Sequence, residues 1–144
     1  MSRLDHIEVT IIESRIDMAA SREIREEVFI VEQEVPADIE YDEFEGSSKH
    51  ILAKIDGLSV GTARWRKTAQ GQKLERFAVL KSARGKGVGE ALVTFIMDQI
   101  DESEVAYLNS QVSAIGFYSK FNFTEVGGIF YEAGIPHRKM IRQR

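Results

Sequence analysis

The run Arg84-Gly85-Lys86-Gly87-Val88-Gly89 has residue types and spacing that could do chemistry. Glycines at alternate positions let a backbone turn tightly and approach an anion closely. If a helix starts here, its first amides have no partner inside the helix and point outward. The helix dipole adds about half a positive charge at that end. Arg84 and Lys86 add full charges at the mouth, so the run reads as a phosphate cradle. Its spacing is not G-x-G-x-x-G, and Val88 after Gly87 departs from the G-K-[ST] ending of a P-loop. The competing reading is a glycine-rich surface turn that caps a helix.

Other candidates are scattered. Glu75 is a carboxylate close upstream of the glycine run, and alternation along a strand would put Glu75, Phe77 and Val79 on one face, with Arg76 and Ala78 on the other, so that Glu75 and Arg76 share a pocket only if a bulge intervenes. Arg64 and Arg66 flank Trp65 and could clasp a substrate carboxylate or serve as structural partners of acidic residues. Glu75 could equally be a surface ion-pair partner of either arginine. His50 and His137 are further candidates, because imidazole is the side chain whose charge ordinarily changes near neutral pH. With His6 they make three dispersed histidines without the short spacing of a metal site. Cysteine is absent, so disulfides, thiolate ligands and a cysteine nucleophile are excluded. Asp38, Glu40, Asp42, Glu43 and Glu45 crowd one stretch that could draw in an amine or simply be a solvated loop.

The elements that must position these residues can be read in order. His6–Ile12 alternates as a strand. Asp17 can cap a helix with Ala19–Val31 as its body, ended by Pro36. Residues 37–49 read as an acidic loop. His50–Ile55, the turn Asp56-Gly57, Leu58–Arg66 and Lys73–Lys81 make an antiparallel meander. A helix over 87–101 then crosses to a strand at 105–109, which should lie parallel to the 74–80 strand. Ala114–Phe121 reads as a short helix, and Phe123–Tyr131 with His137–Arg142 as a closing hairpin. The whole of 1–144 is expected to be one domain.

Arg84 through Gly87 to Gly89 spells R-x-x-G-x-G, which resembles the cofactor-gripping motif of the GNAT superfamily of N-acetyltransferases. Asn109, Ala114, Phe117, Tyr118 and Phe121 match a second motif of that superfamily. Arg25-Glu26-Glu27-Val28-Phe29, Gly61 to Arg66, Leu74-Glu75-Arg76 and Ala133 to His137 are similar to its ElaA-like and YjcF-like bacterial branch. The resemblance implies an α/β (α+β) fold of order β-αα-βββ-α-β-α-ββ, with a mixed, mostly antiparallel sheet and two splayed parallel strands. It implies acetyl-CoA as cosubstrate, without a metal, and direct transfer of the acetyl group to an amine. It implies a cofactor site of Phe77, Ala78, Val79, Arg84, Gly85, Lys86, Gly87, Val88, Gly89, Asn109, Phe117 and Tyr118. It makes Tyr118 the acid for the leaving thiolate, with a core tyrosine as the other reading, and Glu75 the candidate base. Asp42, His50, Arg64, Arg76 and His137 are candidates for the acceptor side.

Composition bounds the partners. The fractions, 43% hydrophobic and 29% charged, are those of a globular protein. A net charge of −4 argues against nucleic acid. Residues 1–75 carry a net −6 and residues 76–144 a net +2, which would suit a cationic acceptor and an anionic cofactor, or is ordinary surface variation. No leader and no membrane span are expected, and the expected compartment is the cytoplasm. A small-molecule or peptide amine is the expected acceptor, and a homodimer stays open. A CoA-binding domain without catalysis, and a protein-binding module using residues 38–45, are the alternatives to an enzyme.

Overall fold

Ser14, not Asp17, caps the first helix: its hydroxyl accepts from the Asp17 amide at 3.1 Å. The computed structural model describes residues 6–142, without the side chains of Asp38 and Ile39. The expectations for residues 1–5 and for the Asp38 carboxylate therefore lie outside the described residues. Strand β1 (Ile7–Ile11) leads into helix α1 (Arg15–Arg25). Asp17 sits in the first turn of α1, where its charge complements the dipole. The helix then widens into a π-helical segment, Glu26–Glu32, a geometry rare beyond a single turn. Pro36 ends this stretch, as expected from its missing amide. The expected loop begins with one helical turn, α2 (Ala37–Glu40).

The meander follows as β2 (Lys49–Ile55), β3 (Leu58–Thr68) and β4 (Gly71–Val79). Helix α3 (Val88–Gln99) crosses to β5 (Ala106–Gln111). Helix α4 (Ile115–Ser119) and the pair β6 (Thr124–Glu132) and β7 (Ile135–Arg142) complete the chain. The seven strands form one sheet in the order β1-β2-β3-β4-β5-β7-β6. Every pairing is antiparallel except β4 with β5, the pair joined by the α3 crossover. The mixed, mostly antiparallel sheet is the one expected.

Helices α3 and α4 cover one face of this sheet. Val88, Leu92, Val93 and Ile96 pack there with Ile51, Trp65, Leu74, Leu108 and Met140. Helix α1 and the π-segment cover the other face, through Ile24 and Val28 against Leu52 and Ala78. A hydrogen bond between the Ser21 and Thr62 hydroxyls, 2.6 Å, ties α1 to β3.

Regular alternation along β4 does not hold. The register with β3 shifts between Thr62 and Arg64, so Ala78 faces Thr62 but Glu75 faces Arg64. One extra residue is accommodated at Arg76, whose φ of +59° is left-handed. Leu74, Phe77 and Val79 consequently pack into the α3 cluster. Glu75 and Arg76 turn to the α1 side, where Ala78 also lies. The bulge replaces the expected grouping of Glu75 with Phe77 and Val79.

Candidate active site

Strands β4 and β5 are bonded over a short distance only. Their parallel register covers Gln72 with Ala106 and Lys73 with Tyr107, and the Gln72 amide donates to the Val105 carbonyl at 2.8 Å. Beyond Lys73 the strands part. A cleft of about 640 Å³ opens between them, a volume typical of ligand sites. Phe77 and Val79 line one wall; Asn109, Ser110 and Gln111 line the other. Unpaired strand edges are otherwise a liability, so an extended ligand completing them is physically sensible.

The glycine run adjoins the cleft through Arg84, the residue of the run that lines it. Gly87 caps α3 with φ of +92°, a conformation that disfavours residues carrying a Cβ. The first helical bond runs from the Ala91 amide to the Gly87 carbonyl, 3.0 Å. The amides of Val88, Gly89 and Glu90 precede it and are the outward donors of the helix start. Gly89 serves a different purpose from the one its place in the run suggests. It is already inside α3, and a Cβ there would stand 3.0 Å from the Phe117 ring. Its missing side chain lets α4 close on α3. Arg84 is held by the Val79 carbonyl (3.0 Å) and by Glu32 of the π-segment (2.8 Å). Gln33, next to Glu32, accepts from the Gln111 amide nitrogen at 2.8 Å. Glu32 and the next residue, Gln33, thus reach Arg84 and Gln111, both of which line the cleft.

Tyr118, on α4, borders the middle of the cleft. Its ring meets Phe77, Phe117 and Phe123 edge-on. Burial pushes the phenol well above its ordinary value, so it stays protonated. Among the described residues no hydrogen bond reaches its hydroxyl, and no fully buried side-chain oxygen or nitrogen is left without a partner. The hydroxyl is therefore accessible from the cleft.

The far end is built of charge. Arg64 is 0% exposed and Arg25 is 1% exposed. Arg25 donates to Glu40 at 2.6 Å and to Glu45 at 2.8 and 2.9 Å. Arg64 donates to Glu75 at 2.7 Å and to both Asp42 oxygens at 2.9 and 2.7 Å. Arg76 adds ion pairs to Glu40 and Asp42. Glu40, Asp42 and Glu45 of the loop thus turn inward onto arginines, whereas Glu43 is exposed. A buried guanidinium is tolerable only with such partners. Burial works against ionisation of Asp42, but Arg64 outweighs it and lowers Asp42 to about 2. Burial likewise opposes the charge on Glu75, yet Arg64, Lys73, Arg76 and Arg66 together hold its carboxyl below the ordinary range. Glu40 goes the other way, raised by burial despite Arg25 and Arg76.

The profile of the acetyltransferase (GNAT) domain matches residues 15–143. The chain belongs to the GNAT acetyltransferase family. It is 39% identical over 122 residues to the uncharacterized N-acetyltransferase YjcF of Bacillus subtilis, covering 83% of this chain and 87% of that protein. It is 31% identical over 128 residues to ElaA of Escherichia coli, covering 84% of each. The crystal structure of Escherichia coli ElaA superposes with a TM-score of 0.82 at 27% identity, over 95% of this chain and 99% of that one. The protein is accordingly an acyl-CoA-dependent N-acyltransferase.

The other residues singled out from the sequence fall in and out of this GNAT cleft. His137, on β7, lines it. Its Nδ1 donates to the Ile135 carbonyl at 2.7 Å, and its ring stacks on Phe130. That bond fixes the tautomer and leaves Nε2 as the acceptor, 4.0 Å from Glu132. His50 is buried at the start of β2 and bonded through Nε2 to the Glu45 carbonyl at 2.9 Å. It supports the charged loop and is not among the cleft residues. Arg64 is fully consumed by carboxylates. Arg66 and Lys73 do line the cleft, and Lys73 had drawn no notice in the sequence. Its signal was available: a lysine two places from Glu75 on one strand lies on the same face. Among the described residues no group of three or more His, Asp or Glu side chains is arranged to hold a metal. No helix among them is long and apolar enough to cross a membrane.

Proposed function

We propose that the protein transfers acetyl from acetyl-CoA directly to a primary amine. The reading is carried by the opening of β4 from β5 between the glycine run and the charged network. Acetyl-CoA supplies an activated thioester, and the chain's residues do the rest. The amides opening α3 and the Gly87 turn would hold the pyrophosphate, with Lys86 at the mouth. The edges at Phe77, Ala78 and Val79, and at Asn109, would hold the pantetheine arm and offer an amide to the developing oxyanion. The Tyr118 hydroxyl, protonated and without a partner among the described residues, would give its proton to the departing sulfur.

Proton removal from the amine falls to His137 on this reading. Its Nε2 is a fixed acceptor facing the cleft, and Glu132 would stabilise the imidazolium. Glu75 is pinned by cations that favour its ionised form, so it accepts protons poorly and serves to position Arg64 and Arg66. The test is incubation with acetyl-CoA and a panel of polyamines, amino acids, aminoglycosides and peptides. Released thiol and the mass of an acetylated product are measured. CoA binding without product from any amine would leave a silent CoA-binding domain instead.

A further inference from the structure

Arg66 and Lys73 face each other directly across β3 and β4, in register. Like charges at directly opposed positions repel. A single carboxylate lies between them and their neighbours. Glu75 takes Arg66 Nε at 3.1 Å and Lys73 at 3.3 Å while also holding Arg64. Around this point the network sets five cations, Arg25, Arg64, Arg66, Lys73 and Arg76, against four carboxylates, Glu40, Asp42, Glu45 and Glu75. Within this network cations outnumber carboxylates by one, and a further carboxylate, Glu132, lines the opposite side of the cleft.

The Arg66 side chain is held as a prepared donor. The Arg66 guanidinium lies over the Phe44 ring with its carbon 3.7 Å from the centroid. Stacking and the Nε bond to Glu75 fix its plane. Among the described residues its two terminal amino groups have no hydrogen-bond partner. They form the edge that grips a planar oxyanion with two parallel bonds. Phe44, Arg66 and Lys73 all line the cleft.

We propose that Arg66 and Lys73 form a carboxylate subsite and that the acceptor is therefore an amino acid or similar carboxylated amine. The proposal rests on the transferase reading above and adds the substrate class. A carboxylate is planar and offers two oxygens to the free edge of Arg66, with Lys73 beside it. Glu40, Asp42 and Glu45, which would otherwise favour a polyamine, are already paired with arginine. Glu132 and His137, from β6 and β7, contribute the opposite side of the cleft, where the amine is deprotonated.

Matched amino acids and amino alcohols of equal chain length test this, because the pair differs in the carboxylate and keeps the amine. The expected ratio of kcat/KM is at least tenfold in favour of the amino acid. Arg66→Gln and Lys73→Met should each pull the ratio toward one, and Arg66→Lys should keep part of it. A ratio at or below one in the wild type, or an unchanged ratio in Arg66→Gln with an unchanged melting temperature, overturns the subsite. Binding supplies a readout free of turnover. In the presence of CoA, N-acetyl amino acids should raise the melting temperature of the wild type and not of Arg66→Gln, whereas N-acetyl amino alcohols should do so for neither. If no amine is acetylated yet this pattern holds, the subsite stands and the transferase reading fails. If inorganic phosphate alone protects, or no probe does, the subsite is wrong.

Discussion

Tyr118 shows how one side chain can serve packing and chemistry together. Three aromatic rings fix its ring, while its hydroxyl meets no described partner. Tyr118→Phe should therefore lower kcat by about 10- to 1000-fold, a range that reaches from below into that of general acids, with little change in acetyl-CoA affinity. The melting temperature should hold, since the hydroxyl makes no hydrogen bond among the described residues. A normal turnover number would remove the phenol from the mechanism. Arg84 offers a second residue-scale test. Glu32 occupies its guanidinium at the mouth of the phosphate site. Glu32→Gln should release Arg84 and tighten CoA binding about two- to fivefold, as expected of a partly exposed ion pair. Calorimetry that shows weaker binding would contradict this arrangement.

Two elements decide what those residues can reach. The first is the turn into α3, where Gly87 adopts φ of +92°. Gly87→Val places a branched side chain in a left-handed position at the phosphate cradle. CoA binding should be abolished in calorimetry, while a cooperative unfolding transition persists. The second is β4 with its bulge at Arg76. It turns Glu75 onto the Arg64 side of the sheet, and Arg64 lies at the centre of three carboxylates. Arg64→Met would leave those carboxylates short of a buried partner and should cost about 3–5 kcal/mol in urea unfolding. A cost under about 1 kcal/mol would mean that the surrounding acids relax into solvent, as an exposed pair would.

The whole molecule carries this network as a pH dependence. Asp42 falls from an ordinary 3.8 to about 2 in the fold, and Glu45 and Glu75 are also lowered. A carboxyl lowered by folding stabilises the native state above its unfolded value and loses that contribution as pH falls through the folded one. Stability should therefore be flat above about pH 4 for Asp42 and decline toward pH 2. Asp42→Asn should flatten part of that decline in thermal melts. Glu40 opposes the trend, because burial raises it and its ionised form costs stability at neutral pH. At the same scale, transfer activity should be unchanged after dialysis against a chelator. A loss that zinc restores would sink direct transfer without a metal.

Much of this was written along the chain. The glycine run between a strand and a helix, the crossover that makes β4 and β5 parallel, and the order of elements follow from local signals: turn residues, periodicity and capping types. Tyr118 and Asn109 were reachable because their spacing within one short motif survives in sequence. Pairings between distant segments were not. The inward fold of Glu40, Asp42 and Glu45 onto Arg25 and Arg64 spans up to 22 residues of separation, so an acidic stretch read alone looks like loop. The bulge at Arg76 inverted the facing of Glu75, because strand alternation is strict only until one residue is left unpaired. The purpose of Gly89 lay in a contact with Phe117, 28 positions away. Local energetics select turns and helices from neighbouring residues, whereas burial of a charge is settled only when its partner arrives from elsewhere in the chain.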